Sequence, residues 1–151
     1  MSRAFDVVIW GATGFTGRLV AKYFSESVSS RFPNLRWALA GRNAEKLVSL
    51  RDEIAQSHVG ILTGSIDSEE SMSDIASKAS VVLSTAGPFL SYSAPIVDAC
   101  VREGTHYVDI TGDASFLSAG ISNNHDSKLY TPFEFLRRIS WAWAYYPRSA
   151  A

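Results

Sequence analysis

The sequence has a single cysteine, no long run of like charge and no long apolar segment. Cys100 has no second cysteine to pair with in the 151 residues, so an internal disulfide is excluded and a reducing compartment, the cytoplasm, is expected. Basic and acidic residues number 14 and 15, a balance that argues against nucleic-acid binding. No apolar run reaches the roughly 18 to 20 residues of a membrane-spanning helix, and no signal peptide is expected.

Three kinds of catalytic or metal site are also missing from the sequence pattern. His58, His106 and His125 show no ligand spacing with one another or with cysteine, so no metal site is expected. No tyrosine is followed four residues later by a lysine, which disfavours a short-chain dehydrogenase. Cys100 lies among apolar residues without a neighbouring base, which favours a buried structural thiol over a nucleophile.

Short apolar runs alternate with longer segments of helical spacing between residues 4 and 113. The predicted strands cover residues 5–10, 35–40, 59–66, 80–87 and 106–110. The predicted helices cover residues 18–28, 44–55, 68–76 and 93–104. Asn43 is the expected N-cap of the second helix and Gly104 the expected C-cap of the last. The pattern predicts a doubly wound, Rossmann-like parallel α/β sheet of about five strands with helices on both faces.

The rest of the chain differs in kind, so we divide it into a dinucleotide-binding domain at 1–113 and an atypical tail at 114–151. The aromatic residues near the end of the tail are Trp141, Trp143, Tyr145 and Tyr146. These residues could cover the open edge of the sheet, or lie at a membrane interface or lipid droplet. They could also be an unevolved tail that exposes apolar surface and promotes association, the interpretation favoured here.

The stretch GATGFTG, residues 11–17, follows the first predicted strand and leads into the first predicted helix. Gly11 permits a tight turn, Gly14 lets the backbone approach a pyrophosphate, and Gly17 lets helix and strand pack closely. Free N–H groups and the positive end of the helix dipole would then face an anion, with Thr13 and Thr16 as further hydroxyl donors. The alternative is a tight turn that binds no ligand.

The end of the second predicted strand distinguishes between the two nicotinamide dinucleotides. An acidic residue at this position binds the adenosine ribose of NAD, whereas an arginine accommodates the 2'-phosphate of NADP. The segment ALAGRNAEK has Gly41 followed by Arg42, and Lys46 lies one helical turn further on. The sequence therefore favours NADP over NAD, the alternative being that Arg42 is a solvated loop residue.

Other polar residues follow the later strands at the same predicted edge of the sheet. Asp67 is expected either to contact the adenine or to cap the next helix. The loop predicted to lie beside the nicotinamide consists of Thr85, Ala86, Gly87, Pro88 and Phe89. Asp109 and Asp113 bracket the end of the fifth strand as candidate polar contacts, and the sequence assigns no catalytic acid or base.

Four segments together resemble one known family. They are DVVIWGATGFTGRLVA, LRWALAGRNAEKL, VVLSTAGPF and IVDACVREGTHYVDITGD. In order and spacing they resemble the N-terminal NADP-binding domain of saccharopine dehydrogenase-like oxidoreductases, which include the trans-acting enoyl reductases of lipid biosynthesis. The resemblance covers about residues 4–113.

The resemblance implies nicotinamide-dependent redox chemistry within a longer protein. By this resemblance, the residues expected to contact the pyrophosphate are Gly11, Thr13, Gly14, Phe15, Thr16 and Gly17. It implies Arg42 on the 2'-phosphate and residues 85–89 along the cofactor, and it matches Asp113 to an acidic residue of the family.

Members of the family continue into a substrate and dimerisation domain after the matched region. The chain is therefore expected to be a truncated or alternatively terminated member that binds NADP but does not catalyse the reaction alone. One alternative is a non-enzymatic NADP-binding redox sensor, which would pass cofactor occupancy to a partner. Another is the product of an incomplete reading frame.

Overall fold

A sheet of five parallel strands forms the centre of the protein in a computed structural model, which describes residues 3–54, 56–88 and 92–110. The strands are β1 (Phe5–Trp10), β2 (Trp37–Gly41), β3 (Gly60–Thr63), β4 (Ala79–Ser84) and β5 (His106–Asp109). Their order across the sheet is β3-β2-β1-β4-β5, and every neighbouring pair is parallel. The predicted doubly wound sheet is therefore confirmed.

Helices connect the strands and lie on both faces of the sheet. They are α1 (Phe15–Tyr23), which continues through a π-helical turn (Phe24–Val28) into α2 (Ser29–Arg31), and then α3 (Ala44–Glu53), α4 (Glu69–Lys78) and α5 (Ala94–Glu103). The Asn43 side chain accepts a hydrogen bond of 2.9 Å from the backbone N–H of Lys46 at the start of α3. Helix α5 ends at Gly104, which has a φ of 62°. Both predicted caps are confirmed.

Two apolar layers hold the helices against the sheet. Val8 of β1 and Val82 of β4 pack in one layer with Ile75 of α4, and helix α5 contributes to the same layer. Ile9 of β1 packs in the other layer with Leu47 of α3, on the face that also carries α1. Each such fully buried aliphatic side chain contributes about 1.5 to 3 kcal/mol, so the two layers fix the strands whose ends build the site.

Two of the strands end three residues before their predicted carboxyl ends, because the chain leaves the sheet to form loops. The predicted strand 59–66 ends at Thr63, and the predicted strand 80–87 ends at Ser84. After β3, the Ser71 hydroxyl accepts from the N–H of Ser65 and donates to the Ser65 carbonyl, both at 3.0 Å. These bonds occupy both backbone groups of Ser65 and turn the chain towards α4.

The predicted aromatic tail at 114–151, together with Asp113, lies outside the described residues. Its three suggested roles, and the proposed division of the chain at residue 113, therefore stay predictions. Within the described ranges, no helix is long and apolar enough to cross a membrane.

Candidate nucleotide-binding site

A cleft of about 510 Å³ opens at the carboxyl edge of the sheet, where β1 and β4 end side by side. The chain winds in opposite directions from these two strands, and doubly wound proteins bind ligands at such a switch point. The predicted site residues that line the cleft are Gly11, Thr13, Gly14, Phe15, Thr16, Arg42, Thr85, Ala86 and Gly87. Segments far apart in the chain thus meet at one cleft.

Four other predicted site residues have different positions. Gly17 packs beneath the glycine turn and does not line the cleft. Pro88 is exposed next to the lining residue Gly87, and Phe89 lies outside the described residues. Asp67 is also exposed and is not among the lining residues, whereas its neighbour Ile66 is.

The prediction that Asp67 could cap the helix after β3 is wrong. Ser68 is the N-cap of α4, and its side chain accepts a hydrogen bond from the backbone N–H of Ser71 at 3.2 Å. The Asp67 carboxylate instead accepts a 3.1 Å bond from the Ser65 hydroxyl. A contact of Asp67 with adenine stays a prediction.

The glycine turn packs directly against the loop that follows β4. Gly11 has a φ of +79°, a conformation that residues with a side chain rarely adopt. A Cβ on Gly11 would lie 2.8 Å from the Ala86 Cβ and 2.9 Å from the Ala86 backbone nitrogen. The tight turn predicted at Gly11 is therefore confirmed, and it brings the two loops into contact.

Gly17 provides the close helix-to-strand packing that the motif predicted. A Cβ at this position would collide with the carbonyl oxygen of Gly11 and would lie 2.7 Å from the backbone of Ala12. Gly14 is less constrained, because a Cβ there would lie 3.3 Å from the Gly11 oxygen. The side of Gly14 that lines the cleft is therefore open to a ligand.

The amino end of α1 presents hydrogen-bond donors to the cleft. Gly14 is the N-cap and supplies no side-chain acceptor, and the first turn carries no acidic residue. Among the described residues, the backbone N–H groups of Phe15, Thr16 and Gly17 have no hydrogen-bond acceptor. Unpaired N–H groups at the positive end of a helix dipole are a recurrent binding site for phosphate.

Two cations follow β2, one in the cleft lining and one in the first turn of α3. Arg42 lines the cleft directly after β2, and Lys46 follows in the first turn of α3. In the described part of the chain neither forms an ion pair, whereas Arg18 on the neighbouring helix pairs with Glu53. The charges of Arg42 and Lys46 are therefore available to an anionic ligand.

Thr85 fixes the loop after β4 to the end of β1. Its backbone N–H donates to the carbonyl of Trp10 at 2.9 Å, and its hydroxyl donates to the same oxygen at 3.0 Å. Thr85 is 8% exposed and lines the cleft. The two central strands thus present their loops in a fixed relation, although these loops are far apart in sequence.

Some residues considered in the sequence serve the core rather than the cleft. Asp109, a candidate polar contact at the active edge, is buried and accepts a 3.0 Å hydrogen bond from the Tyr107 hydroxyl. Burial raises the pKa of Cys100 to about 12, only slightly offset by the charge of Arg3, so the thiol is unreactive as predicted. Within the described segments, no group of three or more metal-ligating side chains occurs.

Five of the cleft-lining residues are not among the predicted site residues. They are Trp10, Gly41, Ile66, Tyr92 and Ile110. Four of them lie at or just beyond the carboxyl end of a strand, so their place in the strand pattern was a usable signal. Tyr92 lies before α5, and no local pattern marks it.

Comparison with known proteins identifies the family. Residues 7–142 match the family described as saccharopine dehydrogenase NADP binding domain, so the match extends beyond residue 113, where the resemblance was expected to end. A saccharopine dehydrogenase-like oxidoreductase of Rattus norvegicus is 38% identical over 125 residues, covering 76% of this chain and 29% of that protein. A trans-acting enoyl reductase of Mycobacterium leprae is 37% identical over 125 residues, covering 82% of this chain and 29% of that protein.

The fold of this chain is also found among solved structures. Apo saccharopine dehydrogenase (L-Glu forming) from Saccharomyces cerevisiae superposes with a TM-score of 0.59 at 14% identity, covering 76% of this chain and 23% of that chain. The chain spans less than a third of the length of each of these relatives. By its sequence match, the chain belongs to the saccharopine dehydrogenase NADP-binding domain family.

Proposed function

We propose that the chain binds NADP(H) across the cleft and prefers it to NAD(H). The observation that carries the proposal is the position of Arg42, which lines the cleft at the end of β2 and forms no ion pair among the described residues. At this position a 2'-phosphate would find the guanidinium within the same cleft as the glycine turn. Lys46 would add a second positive charge beside it.

Besides Arg42, the residues present fit a dinucleotide at two further points. The unpaired N–H groups of Phe15, Thr16 and Gly17 would bind the pyrophosphate, since they combine donors with the positive end of α1. A Cβ on Gly41 would lie 3.7 Å from Leu47, an ordinary contact, so packing within the protein does not require this glycine. Because Gly41 also lines the cleft, its missing side chain leaves room for the adenosine ribose.

We further propose that this domain is the nucleotide-binding part of a nicotinamide-dependent oxidoreductase. NADPH, when bound, supplies the hydride for such a reaction. Among the described lining residues, Arg42 has the one charged side chain, and none is an aspartate, glutamate, histidine, lysine or cysteine. This set suits a role in holding a nucleotide rather than in transforming a substrate. The geometry gives the redox-sensor alternative no separate support, because both functions would use the same cleft.

The test is a titration of the 151-residue chain with NADPH and NADH, followed by quenching of tryptophan emission. Trp10 lines the cleft and provides a reporter inside it. A charged hydrogen bond contributes about 1.5 to 3 kcal/mol, so we expect NADPH to bind tens-fold to about a hundredfold more tightly than NADH. Arg42→Ala should reduce the affinity for NADPH to that for NADH.

Arg31→Ala is the matched control, because Arg31 is exposed and has no ion pair in the described residues. It should leave both affinities unchanged. Equal binding of NADPH and NADH by the wild-type chain would refute the preference for NADP. Binding of neither nucleotide by a folded sample would refute the nucleotide site itself.

A further inference from the structure

A cluster of polar side chains is buried beneath the β4–β5 side of the cleft. Its members are Ser84, Ser93, Tyr107 and Asp109, here called the buried polar cluster, and each is 4% exposed or less. The Tyr107 hydroxyl donates a 3.0 Å hydrogen bond to the Asp109 carboxylate. Ser84 and Asp109 are register partners across β4 and β5. The bonded pair at the end of β5 therefore lies beside the end of β4 inside the core.

Within the described residues, the Tyr107 hydroxyl contacts the Asp109 carboxylate, and its pKa reflects that contact. Burial raises the pKa of Tyr107, and the negative charge of Asp109 adds to the rise. The hydroxyls of Ser93 and Ser84 act on the phenol in the opposite direction, although neither forms a well-aligned hydrogen bond within the described residues. The phenol therefore keeps its proton and remains the donor to Asp109.

Three members of the cluster are each adjacent in sequence to a residue that lines the cleft. Ser84 precedes Thr85 at the end of β4, and Ser93 follows Tyr92 at the start of α5. Asp109, at the end of β5, precedes Ile110. Buried polar side chains thus adjoin three separate segments of the cleft wall.

We propose that the buried polar cluster positions the part of the cleft wall that receives the nicotinamide ring, with Tyr107 as its positioning residue. The inference rests on the proposed binding of NADP(H). Arg42 would hold the 2'-phosphate at the end of β2 and the start of α1 would hold the pyrophosphate, so the dinucleotide runs on towards the ends of β4 and β5. The cluster thus acts on the nicotinamide half and not on the adenosine half.

The experiment compares two ligands that share the adenosine half. NADPH carries the nicotinamide, whereas 2'-phospho-ADP-ribose has the same adenosine 2'-phosphate and pyrophosphate but lacks the ring. For Tyr107→Phe in the full chain, we expect about tenfold weaker NADPH binding, because the polar contact that fixes Asp109 is lost. The affinity for 2'-phospho-ADP-ribose should stay within about twofold of wild type. The emission of bound NADPH, which reports on the surroundings of the ring, should also change.

Two further variants keep the test decisive. Tyr23→Phe removes a tyrosine hydroxyl from the exposed side of α1, outside the cleft lining, and should leave both affinities unchanged. If Tyr107→Phe does not fold, Asp109→Asn replaces it, since it removes the charge from the acceptor of the Tyr107 hydroxyl with little change of shape. It should weaken NADPH binding about threefold and again spare 2'-phospho-ADP-ribose.

The outcomes separate this inference from the proposal on which it rests. Equal weakening of both ligands would mean that the cluster supports the fold in general and would overturn the positioning role. Unchanged NADPH binding and emission would also overturn it. If neither NADPH nor 2'-phospho-ADP-ribose binds the folded wild-type chain, the nucleotide site itself is wrong and the positioning role falls with it.

Discussion

The two edges of the sheet differ in whether their positively charged side chains have partners. At the amino edge, the guanidinium of Arg36 pairs with Asp6 at 2.7 Å, and Arg3 donates to backbone carbonyls near the ends of α4 and α5. At the carboxyl edge, Arg42 and Lys46 form no ion pair among the described residues. The arginines of the amino edge are thus paired within the protein. At the carboxyl edge, hydrogen-bond donors and positive charges have no partner among the described residues.

From this contrast we predict that different residues govern stability and ligand binding. Substitutions at the amino edge should alter the free energy of unfolding with little effect on the cleft. At the carboxyl edge, the backbone packing under the glycine turn should affect stability, and the cations above it should affect only binding. The variants below test this separation, beginning with the largest expected loss of stability.

The largest loss is expected for Gly17→Ala. The new methyl group would collide with backbone atoms of Gly11 and Ala12, which cannot move aside as a flexible side chain would. We expect the free energy of unfolding to fall by about 3 kcal/mol in urea denaturation. Gly14→Ala is the control and should cost much less, since its Cβ would meet only the Gly11 oxygen at 3.3 Å. Equal losses for the two variants would contradict the close packing at Gly17.

At the amino edge, Arg3→Gln should give the next largest effect. Arg3 donates to the carbonyls of Ala76, Ser77 and Glu103, which lie at the carboxyl ends of two helices. Hydrogen bonds from a charged donor are the stronger kind, so we expect a loss of about 2 kcal/mol by the same measurement. Arg31→Gln removes an exposed arginine with no ion pair in the described residues and should cost nothing measurable. Weaker NADPH binding by Arg3→Gln would break the separation of the edges.

Thr85→Val should have a smaller effect on stability. The variant keeps the shape of the side chain but removes the hydroxyl that donates to the Trp10 carbonyl. That oxygen retains the bond from the Thr85 backbone N–H, so we expect a loss of about 1 kcal/mol. Thr63→Val, at the exposed end of β3, is the matched control and should be neutral. A neutral Thr85→Val would show that the backbone bond alone fixes the loop.

The smallest effect is expected from the ion pair between Asp6 and Arg36. Hydrogen bonds from Arg36 lower the pKa of Asp6. The pair therefore stabilises the fold fully above the ordinary carboxyl pKa of about 4, and this contribution is lost as the pH falls through the lowered value. At pH 6 the wild-type protein should have a higher urea midpoint of unfolding than Asp6→Asn. The difference between the two midpoints should shrink towards pH 3. Arg36→Gln should follow the same trend, and a difference independent of pH would rule out the charge as its source.

The parts of the site that depend on local sequence were predictable. The glycine turn needs only the spacing of Gly11 and Gly17 after an apolar strand, and Arg42 follows directly from the end of β2. Strand ends were less certain, since the residues after Thr63 and Ser84 are as apolar or small as those within the strands. The structure shows that these residues leave the sheet to form the cleft wall.

The buried polar cluster could not be predicted, because it depends on which strands become neighbours. Ser84 and Asp109 meet only when β4 pairs with β5, and Ser93 joins them from α5. The alternation along β5 places Tyr107 and Asp109 on one face, but it does not tell which face is buried. Because Asp109 lies at the end of an apolar strand, the sequence suggested that its carboxylate contacts a ligand in the cleft. In the structure, Asp109 is buried in the core.

The bond between Thr85 and Trp10 also bears on how the chain folds. It joins residues 75 positions apart, and the same pairing brings Ala86 against Gly11. Contacts between such distant segments form late, because the intervening chain must first be ordered. A chain emerging from the ribosome would complete β1, α1 and the glycine motif long before β4 exists. The nucleotide site is therefore expected to mature last in folding, although its most recognisable residues are made first.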